Sequence, residues 1–258
     1  MLENNIREQY REQFIRENLL SDEFLDFVKR NKIPFETLIS YYRCATMEIE
    51  TKFKILDEQY ALRYDRNPIE SMKSRVKSME SLLKKIRKKK IPLTLEAIEE
   101  NIWDVAGVRV ICSFQDDIYL LADCLLRQDD VKIIEVKDYI KNPKGNGYRS
   151  LHLIVEIPIF LQDEKRNMKV EIQLRTIAMD FWASLDHKLR YKKNLSKEQI
   201  ASLADELEKC AQISADLDLR MQNVRSSIYT EVYPVKYDNL PEMPPRFNML
   251  PNSPLIGE

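Results

Sequence analysis

This 258-residue sequence is poor in glycine, histidine and cysteine. Its two histidines lie far apart and its four cysteines form no Cys-x-x-Cys pair, so the sequence contains no zinc motif. A Gly-x-x-x-x-Gly-Lys-Ser/Thr segment is also missing, which excludes a P-loop nucleotide site. No apolar run approaches the roughly 20 residues that a membrane-spanning helix needs. The sequence therefore predicts neither a zinc protein, nor a P-loop enzyme, nor a membrane protein.

The charges of the chain are numerous but balanced. Charged residues make up 32% of the sequence and the formal net charge is -1, so the chain lacks the basic field of a dedicated nucleic-acid binder. The N-terminal segment is charged and has no apolar stretch of the kind found in secretion signals. We therefore expect a soluble, cytoplasmic protein with reduced, buried cysteines. These are Cys44, Cys112, Cys124 and Cys210.

Helical and strand-like patterns alternate along the chain, which predicts an α+β fold with a mixed sheet. Apolar spacing and capping residues indicate helices over 3–65 with a break at Pro34, from Ser78 to about residue 90, and over 94–101, 116–127, 177–191 and 196–227. Short apolar runs indicate strands over 105–112, 131–136, 153–159 and 170–175. Residues 233–258 hold six of the eleven prolines, which indicates an extended or disordered tail.

The strand predicted over residues 170–175 carries the clearest functional signal. Its residues alternate strictly, so an aliphatic set faces one side of the sheet and three functional side chains face the other. Three such groups in a row on one face are costly unless that face lines a cleft. The functional side chains are those of Glu171, Gln173 and Arg175.

A turn-forming loop precedes the strand at 153–159. Residues 142–146, Asn-Pro-Lys-Gly-Asn, are of the types that favour turns. Two of the four glycines, Gly145 and Gly147, lie here, which indicates a special backbone conformation or the close approach of a ligand. Tyr148 follows directly and is either an ordinary strand aromatic or a ring placed to stack on a base. His152 is either a strand histidine or a ligand contact.

The segment from Lys73 to Lys90 is strongly basic, with nine basic residues against one acidic residue. Charge alone favours a solvated helix face. If Ser78 caps the helix, however, Ser81 and Lys85 lie four residues apart on one face near its N-terminus. A hydroxyl and an ammonium at a helix N-terminus form a ready phosphate site.

Asp104, just before the strand at 105–112, has two interpretations. A lone aspartate at a strand start is usually a cap or turn residue. Paired with Glu171 across the sheet, it would form a carboxylate pair able to hold Mg²⁺, which takes oxygen ligands alongside substrate phosphates. The residues alone do not show that the two carboxylates are adjacent.

Three motifs follow one another in an unbroken order: Gly-Tyr-Arg-Ser-Leu-His at 147–152, Val-Glu-Ile-Gln-Leu-Arg-Thr at 170–176 and Phe-Trp-Ala-Ser-Leu-Asp-His at 181–187. They resemble the synthetase domain of the RelA/SpoT alarmone enzymes, most closely the small alarmone synthetases, from about residue 70 to residue 193. The resemblance implies a nucleotidyltransferase-like mixed sheet of about five strands flanked by helices. The implied segments are an N-terminal helical extension (1–66), a catalytic core (67–193), a C-terminal helix (194–230) and a proline-rich tail (231–258).

The resemblance also implies a donor site for ATP. In the family an arginine stacks on the adenine ring and neighbouring side chains hold the phosphates. By this likeness, Arg75 stacks on adenine with Arg109 on the opposite side of the ring. The residues matched to the phosphates are Lys77, Ser81 and Lys85.

The metal and acceptor residues are implied in the same way. Asp104 matches the family's Mg²⁺ ligand, and Glu171 matches its catalytic glutamate, which would be a ligand and also the general base. In the family a tyrosine stacks on guanine, and the matching residue here is Tyr148. The GDP- or GTP-binding residues implied are Lys144, Tyr148, His152 and Gln173.

The activity that the resemblance implies is that of a GTP/GDP pyrophosphokinase, which transfers the β,γ-pyrophosphoryl group of ATP to the 3′-hydroxyl of GDP or GTP. The long members of the family carry a hydrolase domain with a His-Asp metal motif. No His-Asp dipeptide occurs here, and the residues ahead of the core are too few for such a domain, so we expect synthesis without hydrolysis. Relatives assemble as tetramers, so we also expect a homotetramer.

Two alternatives stay open at this point. An RNA-binding regulatory module would use the basic segment at 73–90 together with Tyr148. The balanced net charge and the acidic Glu171 weigh against that function, and we do not predict RNA binding, although a competent enzyme can retain it. The second alternative is a different nucleotidyltransferase, which would release pyrophosphate rather than AMP.

Overall fold

The computed structural model describes residues 22–64, 66–190 and 197–232. Residues 3–21 of the helical segment predicted over 3–65 and the tail at 233–258 lie outside the described residues. The helices are α1 (Asp22–Tyr64), α2 (Met79–Lys89), α3 (Leu95–Asn101), α4 (Gln115–Leu126), α5 (Ile177–Arg190) and α6 (Lys197–Val232). The strands are β1 (Ile69–Val76), β2 (Ala106–Cys112), β3 (Lys132–Asp138), β4 (Leu151–Phe160) and β5 (Lys165–Thr176). In the described ranges, no helix is both long enough and apolar enough to span a membrane.

The strands form one mixed, five-stranded sheet in the order β1-β2-β5-β4-β3. This confirms the predicted α+β class and the strand number that the resemblance implied. The consecutive strands β4 and β5 are neighbours, and the turn between them is closed by a 2.8 Å hydrogen bond from the N–H of Leu161 to the carbonyl of Glu164. In β5 the aliphatic residues of the alternating pattern are fully buried, as predicted. They are Val170, Ile172 and Leu174.

Strand β1 was not predicted from the residue pattern. Its apolar residues Ile69, Met72 and Val76 are spaced by three and four positions and do not alternate, and its remaining residues are exposed. Because β1 forms an edge of the sheet, it can be held by backbone pairing on one side without a buried face of its own. The polar composition that hid this strand is typical of an edge.

The short helices begin at the predicted capping residues. The side chain of Ser78 accepts a hydrogen bond from the N–H of Ser81 at 3.3 Å, and that of Thr94 accepts from the N–H of Ala97 at 3.1 Å. The break predicted at Pro34 instead falls three residues earlier, at Asn31 (φ -110°, ψ 17°). Proline lacks an N–H for the carbonyl four residues back and its ring crowds that turn, so the distortion lies upstream of the proline.

The described residues group into two compact units, which we treat separately. The first unit comprises the residues up to Glu50 together with Ser74–Val108 and Ile154–Glu171. Its part of α1 buries one side chain every three or four positions, so that a single stripe of the helix faces the core. The residues of this stripe are Phe35, Leu38, Tyr42, Ala45 and Ile49.

The second unit comprises Thr51–Lys73, Arg109–Leu153 and the described residues from Ile172 onward. Within it, α6 packs along α5 and also contacts α4. The indole N–H of Trp182 on α5 donates to the carbonyl of Leu207 on α6 at 2.9 Å. Polar contacts therefore accompany the apolar packing of the C-terminal helix.

All four cysteines are free thiols, but the expectation that they are buried is right only for Cys112. Cys44 and Cys124 are half-buried, and Cys210 is exposed. Cys210 lies on α6, where the next residue, Ala211, turns toward the unit and is buried instead.

Gly147 lies so close to α6 that a larger residue does not fit. Its φ is 82°, which L-residues rarely adopt, and a Cβ added there would collide with the Cβ of Ala211. We expect Gly147→Ala to destabilise the fold by about 1–3 kcal/mol and to lower the melting temperature. Gly145→Ala is the matched control, since a Cβ there meets no atom within 4 Å. Equal losses in the two variants would contradict this account.

The buried Asp218 predicts a pH dependence of stability. Its Oδ2 accepts a 2.7 Å hydrogen bond from the hydroxyl of Thr176. Burial raises the pKa of Asp218 more than this hydrogen bond and the charge of Arg149 lower it. The stability that Asp218 contributes is therefore complete below its unfolded pKa of about 3.9 and is lost as the pH rises through the raised pKa.

We expect Asp218→Asn, which cannot ionise, to melt near the wild-type temperature at pH 4 and above it at neutral pH. Thermal melts across this range measure the difference. Asp216→Asn, at an exposed position on the same helix, should follow the wild-type profile throughout. A constant offset between Asp218→Asn and wild type at every pH would contradict the assignment.

Candidate active site

In the first unit, Asp104 is held by two lysines. Its Oδ2 atom lies 2.5 Å from the Nζ of Lys85 and 3.4 Å from the Nζ of Lys77. Burial by itself would raise the pKa of Asp104, but the hydrogen bonds and charges of the two lysines together outweigh it and lower the pKa. Asp104 is therefore an ionised carboxylate close to two cations.

Local structure around α2 produces this geometry. The N–H of Lys77, just after β1, donates to the carbonyl of Val105 at 2.7 Å, which places this lysine beside the start of β2. The Ser78 cap starts α2, so Ser81 lies in its first turn and Lys85 one turn later on the same face. The hydroxyls of Ser78 and Ser81 are 3.0 Å apart. The three predicted phosphate residues are thus close in the chain and in the fold.

One oxygen of Asp104 has no hydrogen-bond partner in the described part of the chain. The Oδ1 atom is buried and accepts no hydrogen bond, which is unusual for a buried carboxylate. An ionised oxygen of this kind fits a Mg²⁺ ligand. Among the described residues no three His, Cys, Asp or Glu side chains come together as a metal site. An ion here would depend on one or two carboxylates and on substrate phosphates, as Mg²⁺ commonly does.

Arg75 and Glu171 lie on either side of Gly107. A Cβ added to Gly107 would be 3.8 Å from the carbonyl oxygen of Glu171 on β5 and 3.9 Å from that of Arg75 on β1. The sheet therefore carries no side chain between these two residues. Asp104 stands two residues before β2, and β2 pairs with β5, the strand that carries Glu171.

In the second unit, the residues predicted for the acceptor form one cluster. The hydroxyl of Tyr148 lies 2.9 Å from the Nε2 of His152 and accepts a 2.6 Å hydrogen bond from Nη2 of Arg175. The Nζ of Lys144 lies 5.1 Å from the centre of the Tyr148 ring, and the Oε1 of Gln173 accepts a 3.2 Å hydrogen bond from Nη2 of Arg175. All four predicted residues are thus brought together.

The Tyr148 ring is further fixed by Tyr139 and by its own loop. Its centre is 6.0 Å from that of Tyr139 in an edge-to-face arrangement, and Tyr139 meets His152 at 5.3 Å. The N–H of Gly147 donates to the carbonyl of Lys144 at 2.8 Å and closes the loop before the ring. The ring is therefore held at its edge and its hydroxyl.

Arg109, which the resemblance matched to adenine, lies in the second unit beside Asp180. Its Nη1 is 3.3 Å from the Oδ1 of Asp180, and the Nη1 of Arg175 is 3.0 Å from the same oxygen. The side chain of Arg175 is only 6% exposed. Asp180 therefore joins a residue of the predicted donor site to the cluster around Tyr148.

Three residues of these networks were not predicted as site residues. Arg175 belongs to the polar face of β5 that the alternation marked, so its position was visible but its role was not. Asp180 and Tyr139 carried no signal in the sequence, because their contacts depend on how distant segments fold together.

Comparison with known proteins assigns the family. Residues 74–196 match the family described as a region found in RelA / SpoT proteins. The chain is 44% identical over 209 residues to the GTP pyrophosphokinase YwaC of Bacillus subtilis (strain 168). This alignment covers 81% of this chain and 99% of that protein. The GTP pyrophosphokinase YjbM of the same organism is 36% identical over 194 residues, with 75% and 90% covered. This chain belongs to the RelA/SpoT family.

Solved structures agree with this assignment. The small alarmone synthetase 2 of Bacillus subtilis superposes with a TM-score of 0.66 at 44% identity, over 75% of this chain and 98% of that chain. The small alarmone synthetase 1 of the same organism, bound to its product pppGpp, gives a TM-score of 0.67 at 34% identity, over 76% and 98%.

Proposed function

We propose that this chain is a GTP pyrophosphokinase, which transfers the β,γ-pyrophosphoryl group of ATP to the 3′-hydroxyl of GDP or GTP, releases AMP and forms (p)ppGpp. The observation that carries the proposal is the pairing of Asp104 with two lysines in one unit and the clustering of all four acceptor residues around Tyr148 in the other. The GTP pyrophosphokinases YwaC and YjbM support it, since each aligns with at least three quarters of this chain.

On the donor side, Lys77 and Lys85 bind the phosphates of ATP. In the structure, both ammonium groups neutralise the carboxylate of Asp104. Phosphate oxygens accept charge-assisted hydrogen bonds of comparable strength. Ser81 adds a hydroxyl at the N-terminus of α2, where the helix dipole also favours an anion. The arginines whose planar guanidinium groups stack on adenine are Arg75 and Arg109.

In this proposal, Asp104 and Glu171 are the residues that would hold a Mg²⁺ ion. When bound, the ion would neutralise charge on the phosphate oxygens of the reacting nucleotide. The buried, partnerless Oδ1 of Asp104 supports its role, because a metal would satisfy an atom that no described protein group satisfies. Glu171 also serves as the general base for the proton of the 3′-hydroxyl.

The acceptor guanine stacks on the ring of Tyr148. Lys144 and His152 approach the acceptor's phosphates, and Gln173 hydrogen-bonds its base or ribose. A bond forms between the 3′-oxygen and the β-phosphorus while the bond from that phosphorus to the oxygen bridging to the α-phosphate breaks, and AMP leaves. The 3′-hydroxyl proton passes to Glu171. Placement of the two nucleotides supplies most of the catalysis, as is usual for transfers between phosphates.

The proposal is of synthesis without hydrolysis, in the cytoplasm. Neither histidine in this sequence is followed by aspartate, the dipeptide of the hydrolase metal motif in the long members of the family. The four cysteines are free thiols, which is usual in a reducing compartment.

We expect the wild-type protein to convert ATP and GDP into equal amounts of AMP and ppGpp, and Asp104→Asn to lose this activity. Removal of the metal ligand forfeits several kcal/mol of charge stabilisation, which lowers turnover by on the order of 100-fold or more. When both proteins are measured without Mg²⁺, the affinity of Asp104→Asn for an ATP analogue should differ from that of the wild type by less than about threefold, because Lys77 and Lys85 remain. Chromatography of the nucleotides and calorimetric titration measure the two effects.

Asp163→Asn, in the exposed turn between β4 and β5, is the matched control and should keep full turnover. Near-normal turnover of Asp104→Asn would contradict its role. Release of pyrophosphate in place of AMP by the wild-type protein would contradict the reaction itself.

We also propose that the protein assembles as a homotetramer through its last two described helices. Their outer faces carry apolar side chains at helical spacing that are at least two-fifths exposed. Exposed apolar side chains that line up in a stripe along a helix in this way are typical of a protein contact. The residues are Phe181, Leu185 and Leu189 on α5 and Ile213, Leu217, Met221, Val224 and Ile228 on α6.

We expect Leu217→Glu to shift the protein from a tetramer to smaller species, because it places a charge within the stripe. Leu217 is 56% exposed, so the substitution leaves the core of the single chain intact. Asn223→Glu adds the same charge to an exposed position of α6 outside the stripe and should leave the assembly unchanged. Sedimentation measures the mass. A tetrameric Leu217→Glu variant would show that α6 does not form the interface.

A further inference from the structure

The carboxylate of Asp180 is shared by two arginines. A single oxygen, Oδ1, lies 3.0 Å from Arg175 and 3.3 Å from Arg109. The side chain of Asp180 is 19% exposed, so both ion pairs are largely removed from solvent and screened less than surface pairs. This aspartate is therefore the counter-ion that fixes two cationic side chains at once.

Arg175 connects Asp180 to the acceptor cluster. Its Nη1 is taken by Asp180, while Nη2 donates to the hydroxyl of Tyr148 at 2.6 Å and to Gln173 at 3.2 Å. Its Nε is buried without a hydrogen-bond partner among the described residues, so the two Nη atoms make all of its hydrogen bonds there. A planar guanidinium held at one end has a fixed direction at the other.

Backbone structure determines where the pair stands. Arg175 is the last but one residue of β5, and Thr176 follows with its Oγ1 accepting the N–H of Met179, as a cap of α5 does. Asp180 then lies in the first turn of α5, where an acidic side chain is favoured by the helix dipole. The strand-to-helix junction thus presents the aspartate beside the arginine.

We propose that Arg175 and Asp180 are positioning residues that order the two nucleotide sites together. Asp180 holds Arg109, which stacks on the adenine of ATP, and through Arg175 it also holds Tyr148 and Gln173, which bind the guanosine acceptor. The inference rests on the proposed function for the identity of the two ligands. Neither residue needs to touch a nucleotide, because each acts through the side chain that it fixes.

The proposal predicts different effects on the two ligands. Asp180→Asn keeps the size of the side chain but removes its charge, so it should weaken both an α,β-methylene ATP analogue and GDP by about tenfold. Tyr148→Phe removes only the hydroxyl that Arg175 holds, so it should weaken GDP by about threefold to tenfold and the ATP analogue by less than about twofold.

The double variant tests whether Asp180 acts through Tyr148. In the Tyr148→Phe background, Asp180→Asn should still weaken the ATP analogue by about tenfold but should weaken GDP further by no more than about threefold. General loosening of the fold would not produce this pattern, because it would depress both ligands in every background. Asp216→Asn, which neutralises an exposed aspartate on α6, is the matched control and should leave both affinities unchanged.

The measurement is isothermal titration of each variant with each ligand, together with a melt. The proposal would be overturned if Asp180→Asn bound either ligand with wild-type affinity. It would also be overturned if the fold-losses in GDP affinity of the two single variants multiplied in full in the double variant. If Asp180→Asn does not fold, the affinities of Arg175→Lys for the two ligands are measured instead. This substitution should weaken GDP and spare the ATP analogue, and equal losses for both would overturn the proposal. Absence of AMP and ppGpp production by the wild-type protein is a separate result, which contradicts the proposed function.

Discussion

The burial of three aliphatic side chains of β5 is the constraint on which the site depends. Val170, Ile172 and Leu174 are completely buried, and each contributes about 1.5–3 kcal/mol by leaving water. A slip of one residue would expose all three and bury the polar side chains between them. That loss is comparable with the whole stability of a typical domain, so the register is fixed. The same register sets Glu171 and Gln173 on the opposite face of the strand.

Both units keep their cations in place with a carboxylate. Asp104 neutralises Lys77 and Lys85 in the first unit, and Asp180 neutralises Arg109 and Arg175 in the second. A site for polyphosphates needs clustered positive charge, and such a cluster repels itself unless an anion is present. The two carboxylates differ in one respect: the Oδ1 of Asp104 lacks a partner among the described residues, whereas the Oδ1 of Asp180 holds two arginines.

Sequence reasoning succeeded where local chemistry decides the structure. Ser78 and Thr94 cap their helices because a side-chain oxygen satisfies a nearby N–H, and β5 alternates because one face is buried. It failed for β1, whose polar residues are held by pairing with β2, and it placed the break of α1 at Pro34 rather than at Asn31. Within the site, the acceptor cluster was located by resemblance. The bond from Arg175 to Tyr148 and the shared carboxylate of Asp180 were not, because they join segments that are distant in the chain.

The central claim is that a pyrophosphoryl group, attacked at its β-phosphorus, moves from ATP to guanosine. The direct measurement follows the phosphates of ATP separately, with ATP labelled at the α-, β- or γ-phosphorus and GDP as acceptor. The account predicts that the β- and γ-labels both appear in the guanosine product while the α-label stays in AMP. Transfer of the γ-label alone with formation of ADP, or recovery of the β-label as free pyrophosphate, would contradict it.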